Sequence, residues 1–423
     1  MAPPSASDDR RAREPVRLRR LRRWSVAARE YRSVALPSLV ALAANSSTSL
    51  VAGAVLGSLT ETFERLPGLL VLVPAAIGLR GNVFSSLGSR LSTALHTGTF
   101  RLTLRPGTVM GDNVATALLL TVGFSFVLAV VAKAFAVAFG VPDTISIPEL
   151  ALTSVAGGLL ASVLVLGLTV GLAAAAERRG WDLDNLVAPI ISTLGDVLTL
   201  PALWVGTLLL GHGAASTVAG LGCVVAGAAC FVYGATSRRE VLRPIVRQST
   251  PVLFAAVVLS TLAGLAIESR LELFADLPAL LVLLPAFVSS AGALGGIQAS
   301  RLATQLHLGT VAPVAVPARP ARRDALLVMA LALPVYTINA LGSHAVAGVL
   351  GVASPGAASM LAVALLGGFG AVSFVVIVAY YSGIAAYRFG VDPDSYGIPV
   401  VTSSVDFVGA LALIGAAVAL GIT

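Results

Sequence analysis

Apolar residues come in long blocks along this chain, and polar residues fill the short gaps between them. The blocks fall at about 34–58, 66–97, 109–139, 149–176, 186–210, 216–235, 250–268, 277–308, 325–350, 358–387 and 397–421. A helix needs about 20 residues to cross the ~30 Å hydrocarbon core of a bilayer, and each block is near that length. The pattern predicts an all-α polytopic membrane protein with about eleven transmembrane helices.

The gaps sort by charge. Arginines follow the even-numbered blocks: Arg101 and Arg105, Arg178 and Arg179, Arg238 to Arg247, Arg319 to Arg323, and Arg388. The other gaps carry Glu61, Glu64, Asp143, Glu268, Glu272 and Asp276. Basic loops remain in the cytoplasm. Residues 1–33 are Arg-rich and read as a basic cytoplasmic arm at the lipid surface, without a cleavable signal peptide. A cytoplasmic start and an odd number of spans put the C-terminus on the extracytoplasmic side of a cell membrane.

Composition narrows the class. The chain is 57% hydrophobic and 12% charged. A soluble domain carries roughly 25% charge and has no core large enough for that much apolar surface. The net charge of +7 comes from arginines at block ends, so it marks a lipid bilayer rather than a nucleic acid. The two cysteines, Cys223 and Cys230, share one apolar block and read as packing residues. No Walker loop or nucleotide fingerprint occurs, so energy from bound ATP is unsupported; the chain reads as a transporter, not an enzyme.

The chain repeats itself. Residues 66–99 and 277–310 agree at half of their positions, at an offset of 211. Pro67/Pro278, Pro74/Pro285, Gly81/Gly292, Arg90/Arg301 and His96/His307 coincide. A second pair begins at Asp182 and Asp392, offset 210, and aligns Asp184/Asp394, Pro189/Pro399, Thr193/Ser403 and Asp196/Asp406. The chain therefore reads as two parallel five-helix repeats joined by a linker helix, with the first repeat at 34–210, the linker helix and a basic loop at 211–249, and the second repeat at 250–423. Five spans return the chain to the wrong side, and one extra helix restores the orientation for the second copy. Parallel repeats share an axis along the membrane normal, which is where a pathway would run.

Asp196 and Asp406 carry the chemistry. Asp196 lies about ten residues into its block, ~15 Å deep at 1.5 Å per residue, near the bilayer midplane. Asp406 lies at matching depth. A carboxylate there must be hydrated, paired with an arginine such as Arg90 or Arg301, or bound to a cation. The neighbouring groups are oxygen donors: Thr193, Ser192, Ser403, Thr402 and the Asn82 amide. Hard oxygen ligands suit Mg²⁺, Ca²⁺ or Mn²⁺, and a sparse set suits Mg²⁺, which keeps its waters. Pro74, Gly78, Gly81 and Asn82 are expected to break or kink their helix beside the pathway. Arg90 and Arg301 read as interfacial arginines that snorkel. Glu268 is expected at the outer mouth, as a cation-attracting acid or an ordinary loop acid. Asp112 and Asn113 read as a helix start.

Three segments, LVPAAIGLRGNVFSSLGSRLSTALHTG (71–98), GGIQASRLATQLH (295–307) and DLDNLVAPIISTLGDVLTL (182–200), resemble the membrane domain of MgtE-type magnesium transporters. They are still more similar to the tandem-duplicated solute carrier 41 branch. The resemblance implies a divalent-cation pathway between the halves with Asp196 and Asp406 as ligands. It matches Asn82 to the Gly-Asn of the first motif and Gln298 to a glutamine of the second. Gly57 stands where the branch tends to have an acid, whereas Glu268 keeps one. Ala293 replaces the second Asn, and Val405 precedes Asp406 where Gly is common, so the halves are not equivalent.

The resulting reading is Mg²⁺ transport, by a channel or a Na⁺-coupled carrier, with Mg²⁺ as the transported ion and no organic cofactor. The chain is read as a monomeric pseudodimer for which a homodimer is possible. Two alternatives stand beside it. A carrier of a small organic or anionic solute would use broken-helix N-termini and Arg90. An intramembrane aspartyl hydrolase would need the two carboxyl groups within hydrogen-bond reach.

Overall fold

The computed structural model describes the backbone of residues 16–179, 183–237, 241–389 and 393–422, and the side chains of 35–178, 194–237, 241–389 and 401–422. Among these residues the chain forms thirteen helices and no strand. Ten of them are long and apolar enough to cross a membrane. The remaining expected block, 186–210, falls on a helix whose described apolar part is Leu194–Thr207. The protein is a polytopic all-α membrane protein.

The order of helices repeats. α1 (Val16–Ser58), the short α2 (Thr60–Arg65), α3 (Leu69–His96), α4 (Val109–Ala138), α5 (Ile147–Arg179) and α6 (Leu183–Thr207) come first. α7 (Ala214–Thr236) follows. Then come α8 (Leu242–Glu268), the short α9 (Leu271–Asp276), α10 (Ala279–His307), α11 (Arg319–Leu350), α12 (Ala357–Arg388) and α13 (Pro393–Ala419). α1 begins at Val16, so the helix runs back into the Arg-rich segment read as a basic arm.

Packing repeats with the sequence, except for the leading helices. α3 packs on α4, α5 and α6, and α10 packs on α11, α12 and α13. α1, however, packs on α10 and α11, and α8 packs on α3 and α4. Each half has lent its first long helix to the other. Two glycines make the crossings close. A Cβ on Gly53 would lie 2.0 Å from the Val282 carbonyl oxygen, and one on Gly264 would lie 2.3 Å from that of Val71. Both contacts are far inside van der Waals range, so only a residue without a side chain lets the backbones meet. Gly53 and Gly264, like Val71 and Val282, are 211 residues apart. α7 sits outside this symmetry, against α4 and α5. Its buried glycines, Gly220, Gly227 and Gly234, recur every seventh residue on one face and receive Pro148, Phe126 and Leu119.

The expected helix break does not occur. α3 is continuous through Pro74, Gly78, Gly81 and Asn82, and α10 is continuous through Pro285 and Gly292. Glycine removes a side chain but no backbone hydrogen bond. The ladder therefore holds through these residues. The anionic-solute reading, which needs broken-helix N-termini, loses its structural basis here.

Candidate cation site between the two halves

α3 is buried on every side but one. Gly78, Gly81, Asn82, Ser85, Ser86 and Arg90 stay partly accessible, at the three- and four-residue spacing of a single helix face. The same face of α10 carries Ser289, Gly292, Ala293, Gly296, Ile297 and Arg301, equally accessible. In the first copy the stripe is therefore mostly small and polar. Among the described residues, no neighbouring atom lies within 4 Å of a Cβ built on Gly81 or Gly296.

Both aspartates border this face. Asp196 lies near the middle of α6, where a Cβ on the adjacent Gly195 would come 3.9 Å from the Gly81 amide nitrogen. Asp406 lies near the middle of α13. Its Oδ2 accepts a hydrogen bond of 2.5 Å from Ser260 Oγ on α8. The same oxygen sits 3.6 Å from the Cβ position of Gly78 on α3. Asp406 thus bonds to the leading helix of its own half and reaches α3 of the other. Both carboxylates are partly accessible. Among the described residues they share no hydrogen bond, and Oδ2 of Asp406 is engaged by a serine rather than by Asp196. An acid pair sharing one proton would need the opposite arrangement.

The other expected site residues divide. Asn82 lies on the accessible stripe, one turn past Gly78. Ser403 is buried one turn before Asp406. The side chains of Thr193, Ser192, Asp184 and Asp394 lie outside the described residues. Gln298 is buried off the stripe, with no partner for its Oε1. Glu268 is buried as well, and its Oε1 accepts from the Gly68 amide at 2.7 Å. Gly68 is the N-cap of α3 and offers no side chain of its own. The carboxylate of α8 thus caps α3, where the helix dipole favours a negative charge. At the matching place in the other half, Gly57 lets α1 rest against Val282.

Arg90 and Arg301 are tied down rather than free to snorkel. Arg301 pairs with Asp324, and Arg90 donates to Asn113 and Ser86. Asn113 is therefore more than a helix start, whereas Asp112 does close the first turn by accepting from the Gly107 amide. Neither arginine is bonded to Asp196 or Asp406.

Two features escape sequence reading. Arg80 is fully buried on α3 and donates to the carbonyl oxygens of Ala76 and Ser154, the latter at 3.3 Å. Ser260 is the direct partner of Asp406. A signal for it does exist: Ser49, Ala52 and Gly53 recur as Ser260, Ala263 and Gly264 at the same offset as the longer repeat. Among the described residues no group of three or more His, Cys, Asp or Glu side chains converges. The arrangement offers two carboxylates, hydroxyls and an amide beside an accessible face. That set suits a cation that keeps its hydration shell better than one stripped bare.

Comparison with known proteins places these features in context. A family model described as "MgtE: Divalent cation transporter" matches the chain twice, over residues 73–206 and 284–416. Solute carrier family 41 member 2 of Xenopus laevis is 27% identical over 381 residues, covering 82% of this chain and 65% of that protein. The Homo sapiens member 2 is 26% identical over 385 residues, covering 82% and 63%. Solute carrier family 41 member 3 of Rattus norvegicus is 25% identical over 264 residues, covering 61% and 57%. The chain spans just under two thirds of the length of these member 2 relatives.

Proposed function

Since both of its halves match the family model, the chain belongs to the MgtE family of divalent cation transporters, and we propose that it moves Mg²⁺ across the membrane between the Asp196 and Asp406 carboxylates. The observation that carries the proposal is the pair itself: one acid from each half, each near the middle of its helix, both beside the accessible face of α3. An ionised carboxylate at that depth costs several kcal/mol unless a cation or water stabilises it. Two negative charges balance one divalent ion. The sparse donor set favours an ion that retains most of its water, and Mg²⁺ holds its water most tightly among the hard divalent cations. Asn82, Ser403 and Thr193 complete the proposed lining. Glu268 acts as a helix cap instead of a ligand.

The arginine-bearing loops set the proposed orientation, with the N-terminal side in the cytoplasm and the C-terminal end outside. An inward-negative potential then favours entry by about 2.3 kcal/mol per charge per 100 mV, twice that for a divalent ion. That driving force suffices for passive uptake. The same residues serve Na⁺-coupled exchange equally well.

The test is Mg²⁺ flux into liposomes containing the full chain, with Asp196→Asn and Asp406→Asn variants, with and without a Na⁺ gradient. Flux should fall at least about ten-fold in each variant, the equivalent of one lost charge-assisted contact. Wild-type flux in both variants removes the site. Flux that stops without a Na⁺ gradient excludes a simple channel, and flux indifferent to it excludes coupling.

A further inference from the structure

We propose that Ser260 is a positioning residue for Asp406 and that its counterpart Ser49 leaves Asp196 unheld, so the two carboxylates meet the cation unequally. The inference rests on the reading of these aspartates as cation-contacting groups.

Ser49 and Ser260 occupy the same place in the repeat, each at the head of a Ser-x-x-Ala-Gly run on a leading helix. Each side chain is 1% exposed. Their surroundings differ. Ser260 Oγ donates to Asp406 at 2.5 Å, and the pair packs on the bare backbone of Gly78. Ser49 Oγ is buried with no hydrogen-bond partner. No described side chain donates to Asp196.

The cause lies one turn away. Where α3 has Gly78, α10 has Ser289, whose hydroxyl donates to Asn45 Oδ1 at 3.2 Å. Beside it, Ser46 and Ser290 hydroxyls lie 3.4 Å apart. Asn45 and Ser46 precede Ser49 by about one turn of α1, so polar groups tie α1 to α10 at that level. α8 has Ala256 and Val257 at the matching positions and makes no such tie. It is free to lean on α13, and it does so more extensively than α1 leans on α6. Contact between hydroxyl and carboxylate follows in one half and not in the other.

A hydroxyl that donates to a carboxylate restricts its rotamer and leaves Oδ1 and its lone pairs for a water of the ion's hydration shell. Loss of a hydrogen bond to a charged group changes affinity about ten-fold or more. Ser260 therefore sets how well Asp406 is presented to the ion, and no described side chain does the same for Asp196.

The experiment is Mg²⁺ flux against Mg²⁺ concentration in liposomes containing the full chain. Ser260→Ala should raise the half-saturating concentration about ten-fold while maximal flux stays within about two-fold. Ser260→Thr keeps the hydroxyl and should follow the wild-type curve. Ser49→Ala should leave both parameters unchanged. A Ser260→Ala curve that superimposes on wild type overturns the proposal, as does an equal shift from Ser49→Ala, or a Thr variant as impaired as the Ala variant. Asp406→Asn, run in parallel, separates the two levels. If it transports normally, the aspartate reading fails; if it is impaired while Ser260→Ala is not, only the positioning role fails.

Discussion

The same arginine ends the accessible stripe in both halves, and the two halves anchor it differently. Arg301 donates through Nε and Nη2 to Asp324 Oδ1, at 2.9 and 2.6 Å, and Gln305 holds the other oxygen at 2.6 Å. Arg90 donates to Asn113 Oδ1 and Ser86 Oγ, both at 2.7 Å. Asn113 and Asp324 are 211 residues apart, so the repeat preserves the reach and the direction of the contact while changing its charge. One anchor is an ion pair, and in the other the guanidinium donates to neutral acceptors that do not compensate its charge. Glu268 and Gly57 differ in the same way: a carboxylate caps α3, and a glycine accepts α10. At these two pairs of positions the duplication keeps the geometry and changes the charge.

The comparison breaks most severely where geometry is shared. Gly53→Ala and Gly264→Ala each force a methyl into a backbone carbonyl at the helix crossings. Each should lower stability by about 2–3 kcal/mol, read as thermal unfolding of the purified protein in detergent, and the two losses should be alike. A tolerated Gly53→Ala beside a damaging Gly264→Ala would mean that the two crossings are not equivalent.

Charge changes should cost less and differ between halves. Asp324→Asn leaves Arg301 half-buried and unpaired and should cost about 1–3 kcal/mol, whereas Asn113→Ala should cost about 1 kcal/mol. Equal losses would contradict the contrast drawn between the anchors. Glu268→Gln keeps the shape of the α3 cap and removes its charge, for an expected loss of about 1 kcal/mol that grows at low ionic strength. Asn113→Asp should bring the first anchor toward the second and gain at most about 1 kcal/mol, the smallest effect of the set.

Much of this was legible in the sequence, and the parts that were not have physical reasons. Hydropathy reveals that a segment crosses the membrane because burial in lipid depends on composition alone. It does not reveal the neighbour, since every apolar face suits lipid and protein alike. The exchange of α1 and α8 was therefore invisible, although Gly53 and Gly264 marked the crossings. The midplane aspartates stood out because charge is rare at that depth. Their partner Ser260 did not, because a serine inside a membrane helix commonly bonds its own backbone. The expected break at Gly81-Asn82 treated glycine as a helix breaker, although glycine keeps its amide N–H and carbonyl and so its place in the ladder. Glu268 was placed at a mouth because it follows an apolar block, and nothing in the sequence brings Gly68 to it across 200 residues.

The exchanged leading helices also bear on how the molecule is made. A ribosome delivers α1 long before α10 and α11 exist, so the translocon must release a helix whose docking groove is not yet synthesised. Its carbonyl-hugging glycine and its Asn45 and Ser46 groups wait in lipid through nine further helices. The bundle around α3 likewise stays open on one side until α8 emerges. The first half is thus completed only by a helix of the second, and the second half draws on a helix made long before it.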